Sequence, residues 1–464
     1  MIDFLIVLGA LLFLMFAAYR GYSVILCAPI AAMGAVLLTE PAALAPAFSS
    51  LFMERMVGFA KLYLPVFLLG AVFGKLIELS GFSHAIVQSV MRLIGAQRAI
   101  MAIILVCALL TYGGVSLFVV VFAVYPFAAE MFRQSGIPKR LLPGTIALGA
   151  FTFTMTAIPG TPQIQNIIPT SFFGTTTWAA PWLGLSGAVL TLVLGVSYLE
   201  WRRRSAAAAG EGYGTDLRNE PAAPPEHATH HPLIALLPLV VVGVANLLLT
   251  RLIPTWYAPT YALDLPGLAQ PLNTEIDQYI AIWAVMGGLL LGSLSIVILA
   301  FRPVVKNLAE GTKSAVAGAL LAAMNTAAEY GFGGVIAALP GFLLVAKTLG
   351  SIADPLVGEA VAVTALAGIT GSASGGMSIA LAAMSDTFIS SARAADILMD
   401  VLHRVAAMAS GGMDTLPHNG AVITLLAVTG LTHRQSYGDI FAITMISTLS
   451  VFFVIALYYL TGLV

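Results

Sequence analysis

The sequence predicts an all-α, multi-pass membrane protein made of two inverted repeats, each with a re-entrant hairpin and a transmembrane helix broken in its middle. Three observations predict it. Of the 464 residues, 59% are hydrophobic and 9% charged, with a mean hydropathy of +0.95, more apolar than a surface in water tolerates. Basic residues gather at a few short places that fix which ends share a side of the membrane. Glycine, proline and polar residues interrupt apolar segments at matching points of the two halves.

Apolar stretches of about 20 residues, enough to cross a hydrocarbon core, fall near 4–19, 22–39, 62–80, 181–199, 233–252, 278–300 and 438–463. Met1-Ile2-Asp3 enters the first without a positive n-region or a small-residue cleavage site, so a retained helix is expected rather than a signal peptide. Residues 200–231 turn polar and read as a flexible cytoplasmic linker. It separates N-terminal scaffold helices at 1–61 and a first repeat at 62–199 from scaffold helices at 232–313 and a second repeat at 314–464. Residues 83–97 mix polar with apolar groups and suit the cytoplasmic interface.

The basic places are Arg20; Arg133, Lys139 and Arg140; Arg202 to Arg204; Arg302, Lys306 and Lys313; and His433-Arg434. By the positive-inside rule all five are cytoplasmic. Residues 99–132 then begin and end on that side, around Thr111-Tyr112-Gly113-Gly114-Val115-Ser116, which describes a hairpin. A second hairpin, 356–391 around Thr370 to Gly376, opens to the other side. Each precedes a broken helix: 141–173, interrupted at Ile158 to Asn166, and 398–431, interrupted at Ser410 to Gly420. Phe73-Gly74 to Gly81-Phe82 parallels Phe332-Gly333 to Gly341-Phe342, which extends the repeat upstream.

Irregular backbone at membrane depth must be buried in protein or line a wet cavity, so the four interruptions imply a shared polar centre. Broken helices aim free N-terminal amides at such a centre and hold an anion without a buried Lys or Arg. Candidate substrate contacts are Tyr112, Gly113, Gly114, Val115 and Ser116; Gly160, Thr161, Pro162 and Gln163; Ser372, Ser374, Gly375 and Gly376; and Thr415, His418 and Asn419. Their glycines admit close backbone approach and their hydroxyls and amides suit a hydroxy acid. Asp414, His418 and Glu329 are ionisable groups in apolar segments and candidates for ion or proton coupling; a sodium site using Asp414 stays open. Plainer roles exist: glycine pairs allow helices to pack, Asp414 can cap a half-helix, His418 can be a satisfied buried imidazole, Glu329 can sit at a helix end, and Thr152, Thr154 and Thr156 can bond back to their own helix.

Other classes fit less well. A net charge of −1 with dispersed Lys and Arg leaves no footprint for nucleic acid. Cys27 and Cys107 sit in apolar runs and suggest no redox chemistry. His227, His230 and His231 lack metal-ligand spacing, and no cofactor is implied. An intramembrane protease would need two catalytic aspartates or a metal motif; Asp386 and Asp414 are available, but there is no Tyr-Asp plus Gly-x-Gly-Asp pairing and no His-Glu-x-x-His, and no enzyme is expected. A channel filter repeats by rotation about a pore, unlike hairpins entering from opposite sides.

Met413-Asp414-Thr415-Leu416-Pro417-His418-Asn419-Gly420-Ala421-Val422-Ile423-Thr424-Leu425-Leu426, Tyr112 to Ser116 and Pro159 to Gln163 resemble the gluconate permease family, above all its bacterial β-hydroxybutyrate permease branch, over nearly the whole chain. The resemblance implies a secondary symporter in the bacterial inner membrane. It also implies a homodimer working as an elevator and proton-coupled uptake of a small hydroxycarboxylate, with 3-hydroxybutyrate ahead of gluconate.

Overall fold

Away from water a backbone must pair its own amides, and a mostly apolar chain does so as helices. The computed structural model describes residues 2–464 except 21, 96–97, 116, 216–217, 222–229, 269, 343, 345–351, 353 and 418; at 15, 18, 19, 91, 118 and 119 it describes backbone alone. In chain order the helices begin with α1 (Ile2–Tyr19), α2 (Val24–Thr39), α3 (Met53–Leu79) and α4 (Phe82–Ile94). A first hairpin, α5 (Ala99–Tyr112) and α6 (Leu117–Gln134), leads into α7 (Leu142–Ala150), α8 (Phe153–Thr156) and α9 (Ile164–Phe173). Then come α10 (Pro181–Ala208), α11 (Pro232–Trp256), α12 (Ile280–Leu299) and α13 (Phe301–Ala338). The second hairpin, α14 (Pro355–Thr370) and α15 (Ala373–Ala394), precedes α16 (Met399–Ser410), α17 (Gly420–Thr429) and α18 (His433–Thr461).

Among the described residues five helical segments, α10, α11, α12 and α18 among them, are long and apolar enough to cross a membrane by length and composition. Leu26, Leu38, Ile298 and Leu460 are exposed on the helices' outer faces, where a bilayer rather than water accepts them. Inside, α3 packs along α13, α11 along α12, and α10 along α18, while α16 lies against α9 and α14. Small residues permit the closest approaches: the Cα of Gly376 on α15 faces the Ala367 backbone on α14, which draws the arms of the second hairpin together.

Three expectations change. Thr260–Leu263 and Leu272–Glu275 form an antiparallel two-stranded hairpin with Thr260 opposite Glu275, because this exposed loop has a Pro-Gly turn and residues that favour extended backbone; the chain is therefore not wholly α. The limits at 62 and 314 fall inside the continuous helices α3 and α13, which start at Met53 and Phe301.

The polar segment after 200 is not a free linker throughout. Helix α10 continues to Ala208, and the stretch beyond it is tied down. Glu211 receives paired bonds from Arg140 at 2.6 and 2.7 Å. Lys139 donates to Arg218 O at 2.8 Å and to Glu220 at 2.6 Å, and Asn219 donates to Ala427 O of α17 at 2.7 Å. Polar composition signalled exposure; the opposite charges on Lys139 and Arg140 decided the path.

Candidate functional site

The first break, 157–163, exists because Pro159 and Pro162 lack amide protons and Gly160 takes φ +77, a conformation that costs glycine little. Its backbone carbonyls are taken up by buried side chains. Asn166 donates to Thr161 O at 3.1 Å and Thr177 O at 2.8 Å. Asn246 of α11 donates to Gly160 O at 3.1 Å. Arg404 of α16, with no solvent exposure, donates to Thr156 O at 3.0 Å, to Asn166 Oδ1 at 3.0 Å and, through two nitrogens, to Ala179 O at 3.2 and 2.7 Å. His403 beside it contacts Thr175 Oγ1 at 2.7 Å and Asn166 Oδ1 at 3.3 Å.

None of the ion pairs among the described residues includes Arg404. The guanidinium, with Asp400 one turn earlier on α16 acting on it electrostatically, lies one side chain from the first turn of α9, whose start has no side-chain cap. Buried oxygens of Thr111, Thr161 and Gln165 in the same region have no hydrogen-bond partner. A site with a cation, uncapped amides and spare hydrogen-bonding groups is chemically disposed toward a small oxyanion.

The second break, 411–419, is electrostatically different. Asn419 accepts from the amides of Ala421 and Val422 at 2.6 and 2.9 Å, so α17 begins capped and its first amides are occupied. Among the described residues the buried ionisable group there is Asp414, whose Oδ1 has no partner.

Each break is tied to the tip of its own hairpin by an amide side chain. Gln163 donates to Thr111 O at 2.7 Å and, more loosely, to Val115 O at 3.4 Å; Asn419 donates to Gly371 O at 2.8 Å. At the first tip, Tyr112 OH donates to Pro159 O at 3.1 Å. Gly114 has φ +91, and a Cβ there would lie 3.1 Å from the Pro162 ring.

The structure therefore brings Tyr112, Gly114, Val115, Gly160, Thr161, Pro162 and Gln163 together, and gives other candidates different partners. Gly113 abuts Leu239 of α11. Ser372 caps α15 by accepting from Gly375 N at 3.0 Å. Ser374 meets Thr326 at 3.4 Å, Gly375 faces Glu329, and Thr415 bonds Thr444 of α18. Ser116 and His418 lie outside the described residues. Thr152, Thr154 and Thr156 bond back to Leu148 O, Gly149 O and Thr152 O, as expected.

The sequence pattern did not single out Arg404, His403, Asn166, Gln165 and Asn246; where a site without a buried Lys or Arg was expected, a buried Arg404 stands beside the first break. The signal was available. Asp400 to Arg404 places charge inside an apolar half-helix, which is costly unless the site uses it.

No protein-family model matches the chain. It is 58% identical to a protein of Bacillus subtilis described as the uncharacterized transporter YxjC, over 471 aligned residues and 100% of both chains. Among solved structures it is similar to the crystal structure of the Alcanivorax borkumensis YdaH transporter, at 15% identity and a TM-score of 0.48, covering 92% of this chain and 90% of that one. That likeness is too loose to bear on fold or function.

Proposed function

The chain belongs to the transporter family that includes Bacillus subtilis YxjC, and from that premise we propose that it is a secondary symporter for a small hydroxycarboxylate, 3-hydroxybutyrate first and gluconate as the alternative. It is a multi-pass membrane protein and a transporter; the substrate, the coupling ion and the mechanism are our reading. One observation carries it: each helix break is bonded to its hairpin tip by an amide side chain, Gln163 at the first and Asn419 at the second. Tip and break then form one polar unit in each half, in keeping with carriers whose sites are built from discontinuous helices. The anion is assigned to the first unit, near Arg404, Thr161, Gln165 and the start of α9. The coupling proton is assigned to the second, at Asp414.

On this reading the two units insert in opposite senses, and the protein works as a homodimeric elevator in the bacterial inner membrane with Arg140, Arg202 and His433 on the cytoplasmic side. The hydroxyl and amide groups at the first break would recognise the substrate hydroxyl, and the helix dipole and guanidinium its carboxylate.

The test is uptake into proteoliposomes of labelled 3-hydroxybutyrate, challenged with gluconate, lactate, acetoacetate and citrate while pH and sodium gradients are varied independently. The expected result is saturable uptake driven by inward proton movement and competed by hydroxy acids. Flux that never saturates, or indifference to every acid in the panel, would contradict the proposal; dependence on sodium alone would replace the proton.

A further inference from the structure

Glu329 is the one acid in the stretch Asn325-Thr326-Ala327-Ala328-Glu329-Tyr330-Gly331 of α13. In the folded chain it is 5% exposed and meets the tip of the second hairpin. It lies beside Ser372, and its Oε2 stands so close to Gly375 that a Cβ there would collide with it. One turn earlier on α13, Thr326 makes the adjoining contact with Ser374. Oε2 has no hydrogen-bond partner among the described residues, and none of their ion pairs includes Glu329.

The surrounding elements offer no compensating charge. On α3 the charged and titratable groups along this stretch are Glu54, Arg55, Lys61 and Tyr63: Glu54 and Lys61 are exposed, Arg55 is engaged with Tyr330, and the Tyr63 hydroxyl donates to Ile168 O at 3.2 Å. Helix α2 has Cys27 alone, and Asp386 and Arg393 of α15 lie about three turns or more beyond Gly375. An ionised carboxylate without a partner is strongly disfavoured in such a place, whereas a neutral carboxyl is tolerated.

We infer, resting on the proton-coupled carrier reading above, that Glu329 is a proton-dependent latch for the second hairpin tip, residues 371–376. With the tip docked on α13 the carboxyl is protonated and neutral. When the tip lifts and water enters, the O–H bond breaks, the proton passes to water on the open side, and a hydrated carboxylate remains. Docking again takes one proton from that compartment. The latch is separate from Asp414: it joins protonation to tip movement, whereas Asp414 joins it to occupancy of the break.

The full chain with Ser374→Cys, in membranes without substrate, tests this by the rate of thiol labelling between about pH 6 and about pH 9. The rate is normalised to Gly212→Cys in the exposed linker and corrected for the buried native cysteines. Beyond that control the rate is expected to rise at least about fivefold with pH, to stay low and flat with Glu329→Gln, and to keep its response with Glu329→Asp. A pH response retained in Glu329→Gln, or a flat profile with Glu329 present, overturns the latch. Because no substrate is used, a flat profile beside intact uptake removes the latch alone, whereas absent uptake beside an intact profile removes the reading it rests on.

Discussion

The two helix breaks share a topology and differ in charge. At the first, Arg404 and neutral amides hold the irregular backbone from outside, the start of α9 is uncapped, and Thr161 keeps a free hydroxyl. At the second, Asn419 caps α17 from within, and the buried ionisable group is the carboxyl of Asp414. Two similarly built breaks thus differ in electrostatics, with a buried guanidinium at the first and a buried carboxyl at the second. The difference teaches that the same residue class does different work in each: Gln163 at one break only ties, whereas Asn419 ties and caps.

The comparison breaks most visibly at Arg404. Arg404→Met leaves the carbonyls of Thr156 and Ala179 without this donor and the Asn166 amide oxygen with His403 alone, at an expected cost of about 3 kcal/mol or more. Thermal unfolding of the purified protein should drop sharply. An unchanged midpoint would mean that the first break is held by something else.

Asp414→Asn is nearly isosteric and should fold within about 1 kcal/mol of the parent. It should abolish gradient-driven accumulation yet preserve exchange of substrate across the membrane. Accumulation at the parent level would move coupling away from the second break.

The capping difference is sharpened by a pair of smaller changes. Asn419→Ala removes a cap and should destabilise by about 1–2 kcal/mol, read as a lower unfolding midpoint. Thr161→Val removes a hydroxyl with no partner in the protein, so stability should hold while substrate affinity falls by up to about tenfold. The opposite pattern, affinity lost at Asn419 and stability lost at Thr161, would exchange the roles of the two breaks.

The smallest effect concerns the tied linker. The Arg140 guanidinium holds the Glu211 carboxyl below its ordinary value. Its stabilising contribution is therefore present above the unfolded carboxylate range and fades as pH falls through the lower folded value. For a half-exposed pair this is about 0.2–1 kcal/mol and weakens with salt. Proteolysis of the linker should rise with acid in the parent, and be faster and less pH-dependent in Glu211→Gln.

Much of the helical frame was legible because apolar length, basic clusters and Pro or Gly interruptions each state a physical requirement at one position. Gly114, Gly160 and Gly371 sit where positive φ is required, and Pro159 and Pro162 where a helix cannot continue. What was hidden depends on pairs far apart in sequence. Arg404 joins Ala179 and Thr156, Asn246 joins Gly160, and Lys139 reaches Glu220; no local pattern encodes such partners. Thr415 and Ser372 were legible as polar groups, but their commitments to Thr444 and to the Gly375 amide appear only once the chain is packed.

The division between the breaks is tested most directly by equilibrium binding of labelled 3-hydroxybutyrate to purified parent, Thr161→Val and Asp414→Asn proteins across pH. Binding in the parent should tighten as pH falls; Thr161→Val should weaken it at every pH with the same slope, and Asp414→Asn should keep the tight form and lose the slope. Parent-like binding in Thr161→Val together with loss of binding in Asp414→Asn would place the anion at the second break and contradict the assignment.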